Sequence, residues 1–177
     1  MLELTNRRAT IGASIKSRVK EVDGERLITM QVPVSFVVLP GEVAALLRND
    51  RAPDRLFTRD KDGHHDMPAL LGIRDLRMKD AVPSAEVTIT VYARGKPITV
   101  HLSDATLGPI DLSPFGGGKT QCSLRVNAEP AFDAALLHLL AHTGSDCEIA
   151  IVAEGWNAQT ELTLDDEIDE EFEEAGA

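Results

Sequence analysis

The sequence predicts an α+β fold, mainly antiparallel β in a sandwich or a strongly bent sheet, with two or three short helices. Three observations lead there. Apolar–polar alternation recurs in short runs, as where Val87, Ile89 and Val91 interleave with Glu86, Thr88 and Thr90; a period of two marks half-buried strands. Turn signals such as Asp23-Gly24 and Arg94-Gly95 separate these runs at hairpin distance. The alternating strand–helix rhythm of a nucleotide-binding sheet is absent. At 177 residues, 43% hydrophobic and 27% charged, the chain has the size and composition of one globular domain.

In chain order, residues 9–39 read as a β-hairpin around Asp23-Gly24. Pro33 has no N–H to give a ladder, which places its strand at an edge or a bulge and leaves room for pairing between subunits. Pro40-Gly41 stops that strand, and 42–47 form a short helix with Val43, Leu46 and Leu47 on one face. Residues from about 48 to 80, dense in Pro, Gly, Asp and Arg, read as an irregular insertion. Strands follow at 86–93 and 97–102, then a pair at 106–112 and 121–128 around Gly116-Gly117-Gly118. A Leu-rich helix at 133–142 ends at Gly144. The last core strand is 147–153, with 158–164 as an extension. A strand–hairpin–helix order occurs once in each half, at 9–47 and 97–142, which hints at duplication without a residue-level repeat. The organisation expected is one β-rich domain over 1–163 and an acidic tail over 164–177.

Charge is sorted along the chain. All 18 Lys and Arg lie between Arg7 and Arg125, beside 15 of the 29 acidic residues; the other 14 acids follow Arg125. A net charge of −11 opposes indiscriminate binding to nucleic acid or anionic lipid. Local cationic surface still counts, because salt screens distant charge. No apolar run reaches the roughly 20 residues that span a bilayer, and the N-terminus lacks an apolar signal region. A cytoplasmic location and no membrane contact are expected. Cys122 and Cys147 sit in apolar-alternating runs and read as buried thiols rather than a disulfide.

Motifs for catalysis or cofactors are incomplete. Gly116-Gly117-Gly118-Lys119-Thr120 imitates a phosphate loop, but Ser113 stands where the first glycine belongs and a strand follows where a helix is needed. His64 and His65, with Asp60, Asp62 and Asp66, offer metal-type ligands without a distant partner to close a site. His138 and His142 are four apart on a helix, yet the glutamate of a zinc helix is missing at Leu139. No metal, cofactor or catalytic residue is expected, and the chain reads as a non-enzyme.

The basic residues carry more. Lys16, Arg18 and Lys20 alternate and so project from one strand face, with Arg7 and Arg8 nearby. Together with the turn cations Arg94, Lys96 and Lys119, they are the candidate nucleic-acid contacts, a groove tracking a phosphate backbone. Aromatics make up only 4% of the chain, so affinity would be electrostatic rather than stacked. In the tail, Leu164, Ile168 and Phe172 recur every four residues among Asp165, Asp166, Glu167 and five further acids, a helical stripe suited to a partner's groove.

That tail resembles the acidic C-termini of bacterial and phage single-stranded-DNA-binding proteins. The resemblance implies a segment that recruits replication or recombination proteins and competes with DNA for the binding groove. Phe172 departs from it in not being terminal, since Ala175-Gly176-Ala177 follow. The opening residues Leu2 to Ile11 and the stretch from Val87 to Leu107 resemble small proteins of tailed bacteriophages encoded near recombination genes, which implies a DNA-metabolism context. The function expected is an accessory of phage replication or recombination that holds single-stranded DNA on the basic face and a partner on the tail. The alternative is an acidic DNA mimic that blocks a nuclease or a host-defence complex.

Overall fold

The computed structural model describes residues 2–22, 25–47, 49–69, 76–78, 81–130 and 132–154; the tail at 164–177 and the extension at 158–164 lie outside them. The described elements are β1 (Leu2–Ile11), β2 (Lys16–Val22), β3 (Glu25–Val38), α1 (Pro40–Leu47), α2 (Ala52–Leu56), β4 (Phe57–Arg59), β5 (His65–Pro68), β6 (Leu76–Met78), β7 (Val82–Ala93), β8 (Lys96–Leu107), β9 (Ile110–Phe115), β10 (Lys119–Ala128), α3 (Ala134–Ala141) and β11 (Asp146–Ala153). This is an α+β protein, mainly antiparallel β, with three short helices among the described residues.

The sheet is a barrel, not a sandwich. Hydrogen bonds run in the order β3-β1-β11-β7-β8-β10, and β10 pairs back onto β3, which closes six antiparallel strands into a ring. β2 continues outward beside β3, while β9 and then β6 continue beside β10. The alternation seen in the sequence fills the interior. Phe36, Val87, Ile89, Leu102, Leu124, Val126, Ile149 and Ile151 all point inward and are buried. The two main helices bury Val43, Leu46 and Leu47, and Leu136 and Leu139. Asp133 caps α3 by accepting the Leu136 N–H at 2.7 Å.

The hairpin expected over 9–39 is more elaborate. β1 turns a corner at Gly12, and β2, not β1, is the hairpin partner of β3. β1 instead meets β3 only at Ala9–Phe36, Thr10–Ser35 and Ile11–Val34. Pro33 is therefore inside the sheet and not at its edge. On one flank it pairs with Arg125; on the other it faces the corner between β1 and β2, where no ladder needs its missing N–H. Its carbonyl accepts the Gly12 N–H at 2.8 Å. The approach requires glycine, because a Cβ at position 12 would lie 2.7 Å from the Pro33 ring.

The register reveals two like halves. β1-β2-β3-α1-β7 corresponds to β8-β9-β10-α3-β11, and residues 48–81 interrupt the first half where only 142–145 stand in the second. Ile11 pairs with Val34 as Leu107 pairs with Val126, and Lys16 with Gln31 as Asp111 with Ser123. Gly108 donates to the Arg125 carbonyl at 2.6 Å, as Gly12 does to that of Pro33. By this correspondence Pro33 and Arg125 are equivalent, and they face each other across the β3–β10 ladder, as an approximate twofold axis demands. The β7–β11 ladder obeys the same rule, pairing Ile89 with Ile149 and Val87 with Ile151. The duplication hinted at by element order is thus a property of the hydrogen-bond register.

Candidate nucleic-acid interface

On the outer surface, the twofold axis emerges between Pro33 and Arg125, and a groove of about 380 Å³ lies there. Its walls are the two glycine corners, at Gly12 and at Gly108-Pro109. Its floor is the outer face of β3 and β10, with Ser35 opposite Ser123. Arg125 stands on β10, and Arg77 and Asp111 close the side formed by β6 and β9. On the other side β2 carries Lys16 in register with Gln31, whose amide donates to Asn127 at 2.8 Å. Arg18 follows in register with Thr29.

The equivalent halves differ in charge. Lys16, Arg18 and Lys20 on β2 correspond to Asp111, Ser113 and Phe115 on β9. Arg77 answers Asp111 with two hydrogen bonds, at 2.6 and 3.1 Å. These bonds lower the Asp111 pKa against the opposing effect of partial burial, and the positive charges of Arg77 and Arg125 lower it further. Because the folded value is depressed, this pairing is at full strength above the ordinary carboxyl range and weakens only as pH falls through the lower folded value. An NMR titration of the Asp111 carboxyl is expected to show its midpoint below the ordinary aspartate value.

The eight cations singled out from sequence do not share one surface. Lys16, Arg18 and Lys20 do lie together on β2, and Lys20 reaches Glu129 at 3.6 Å. Arg7 turns inward to pair with Glu42 in the first turn of α1, and Arg8 pairs with Asp146 at 3.2 Å. Arg94 and Lys96 flank the β7–β8 turn, and β7 is three strands from β3 in either direction around the barrel. Lys119 begins β10 at the far end from Arg125. Among the described residues Lys16, Arg18 and Arg125 have no carboxylate within ion-pair distance. Arg125 and Arg77 went unread in the sequence. The only local signal for Arg125 is its place in the polar alternation Gln121, Ser123, Arg125, Asn127.

The other motifs make local contacts. The glycine run is the β9–β10 turn, and two of its amides are already taken: Gly117 donates to the Asp66 carboxylate at 3.3 Å and Gly118 to the Asp66 carbonyl at 2.8 Å. Gly118, at φ +63°, lies so close to the His65 carbonyl that no side chain fits. This contact seats the 48–80 insertion against the barrel. Within that insertion, His65 meets Asp54 at 2.8 Å, and Asp54 is held below the usual carboxyl range by hydrogen bonds from His65 and then Arg59. Asp60, Asp62 and His64 gather within 4.8 Å in an exposed turn, where the Asp60 carboxylate accepts the His64 and Asp62 backbone N–H groups. His142 hydrogen-bonds the His138 carbonyl at 2.6 Å, an interaction within the helix end. Both cysteines are buried, and burial pushes the Cys122 thiol up to about 12 and the Cys147 thiol to about 11. Neither supplies thiolate at neutral pH.

No helix among the described residues is long and apolar enough to cross a membrane. No protein-family pattern, no curated protein and no solved structure matches this chain, so the functional reading rests on its own residues.

Proposed function

We propose that the protein binds single-stranded DNA across the outer face of β2, β3 and β10, as a non-enzymatic accessory of replication or recombination in the bacterial cytoplasm. The observation that carries this reading is the open groove on the twofold axis, which Arg125 lines, with Lys16 and Arg18 on the same outer face of the neighbouring β2 and none of the three in an ion pair among the described residues. Ser35, Ser123, Gln31 and Asn127 add polar groups along the same face. Among the described residues the exposed aromatics Tyr92, Phe115 and Phe132 stand outside the groove lining, so phosphate contacts supply the affinity and base stacking adds little. In this reading the segment with Leu164, Ile168 and Phe172 recruits the partner protein, and its acids compete with DNA for the cations. Mimicry of DNA by the acidic second half has less support among the described residues, where Glu129 and Asp146 are paired with Lys20 and Arg8.

The test is titration of a labelled oligothymidine across a salt series, with the full chain and with a chain ending at Thr163. Three phosphate contacts give a slope of about −2 for log affinity against log salt, or roughly a twentyfold loss between 50 and 200 mM. The shortened chain is expected to bind more tightly. No binding by either protein at low salt overturns the proposal.

A further inference from the structure

The two halves differ at their outer edges. In the second half β9 is covered: β6 pairs with it antiparallel, Leu76 against Leu112, Arg77 against Asp111 and Met78 against Ile110. The pairing has two components. Arg77 and Asp111 join as an ion pair on the outer face, while Leu76 and Met78 pack against the core on the inner face. The corresponding edge in the first half belongs to β2, with Ile15, Lys16 and Ser17 at the positions of Ile110, Asp111 and Leu112. Among the described residues β2 has a strand partner on one side only. Residues 16–21 are all exposed, and Val19 is 62% accessible.

From this correspondence we infer that the free edge of β2 accepts an added antiparallel strand from a partner protein, the role β6 plays on β9. The chemistry of the guest follows from the face it must match. On the outer face Lys16, Arg18 and Lys20 call for acidic residues at alternate positions. On the inner face Ser17 and Val19 call for small or branched apolar residues between them. The guest is therefore an extended segment of alternating acidic and apolar residues, bound through main-chain hydrogen bonds and specified by its charges. A second copy of β2 is a poor occupant. Antiparallel pairing centred on Val19 would set Arg18 against Lys20, and edge cations of this kind keep like edges apart.

The guest would use Lys16 and Arg18, which the DNA-binding reading also uses, but the edge is inferred from strand pairing alone and its probe is read in the absence of nucleic acid. The probe is a labelled seven-residue peptide with glutamate at three alternate positions and valine between them, titrated into the full chain. It is expected to bind, and the K16E/R18E variant to bind at least tenfold more weakly. Two N-methylated forms of the peptide distinguish a strand from a simple charge contact, since methylation removes one alternate set of backbone donors. Methylation of the set facing β2 is expected to cost at least tenfold, and methylation of the opposite set little. Equal binding by both methylated forms, or by a peptide of the same composition with its three glutamates consecutive, overturns the inference. So does a concentration-dependent dimer that K16E/R18E strengthens, which would show the edge already taken by a second copy.

Discussion

Replacing Lys16, Arg18 and Arg125 together with glutamate is expected to weaken binding of oligothymidine by two to three orders of magnitude at about 50 mM salt. Each phosphate contact on a single strand contributes about 0.7 to the salt exponent, so three contacts account for a factor of roughly 500 at that concentration. Reversal adds repulsion to the loss. The three side chains stand on the exposed outer face of β2 and β10, with no ion pair among the described residues to break, so folding is expected to be little changed. R94E/K96E is the control. Those cations sit at the β7–β8 turn, away from β3 and β10, and their reversal is expected to leave affinity within about threefold through long-range charge alone. A control as damaging as the triple variant would mean that net charge, not the groove, sets affinity.

Phe36→Ala is expected to cost about 3–5 kcal/mol of unfolding free energy, with a fall in Tm on the order of 10 °C. Phe36 is 2% exposed and lies where β3 is paired on both flanks, to Ala9 of β1 and to Cys122 of β10. Its neighbours in that row are small, so the ring fills space that alanine cannot. Loss of packing there acts on barrel closure itself, because β3 joins the two ends of the strand order. Chemical denaturation monitored by circular dichroism gives the value. A cost under about 1 kcal/mol would be incompatible with a buried aromatic at a closed seam.

Much of the fold was legible because its signals are local. Alternation marked β7, β10 and β11, and Gly116-Gly117-Gly118 marked the β9–β10 turn. The helix positions of Val43, Leu46 and Leu47 were likewise readable from spacing. Closure into a barrel was not readable, since it depends on pairings such as Leu2 with Ala153 and Phe36 with Cys122, set by global packing. The duplication does leave a trace in sequence: Ala9-Thr10-Ile11-Gly12 and Ala105-Thr106-Leu107-Gly108 occupy equivalent corners. Four residues are easily overlooked, and the insertion at 48–80 destroys any constant spacing between the halves. The physical reason for their likeness is shared. Each needs a small inward residue, an outward threonine, an inward aliphatic and a glycine that tolerates a crossing strand.

The site divides in the same way. Lys16, Arg18 and Lys20 were found together because strand alternation is a local rule. Arg7 and Arg8 read as free cations, but their partners Glu42 and Asp146 lie 35 and 138 residues away and only folding brings them close. Arg125 joins the β2 cations for the converse reason, through the long-range ladder between β3 and β10.

The most direct measurement is a map of backbone amide shifts as oligothymidine is added to the full chain at low salt. Shifts concentrated at residues 16–20, 29–35 and 121–127 are the expected result. Shifts at the β7–β8 turn with β2, β3 and β10 silent, or no shifts at saturating oligonucleotide, would contradict a DNA-binding groove on the twofold axis.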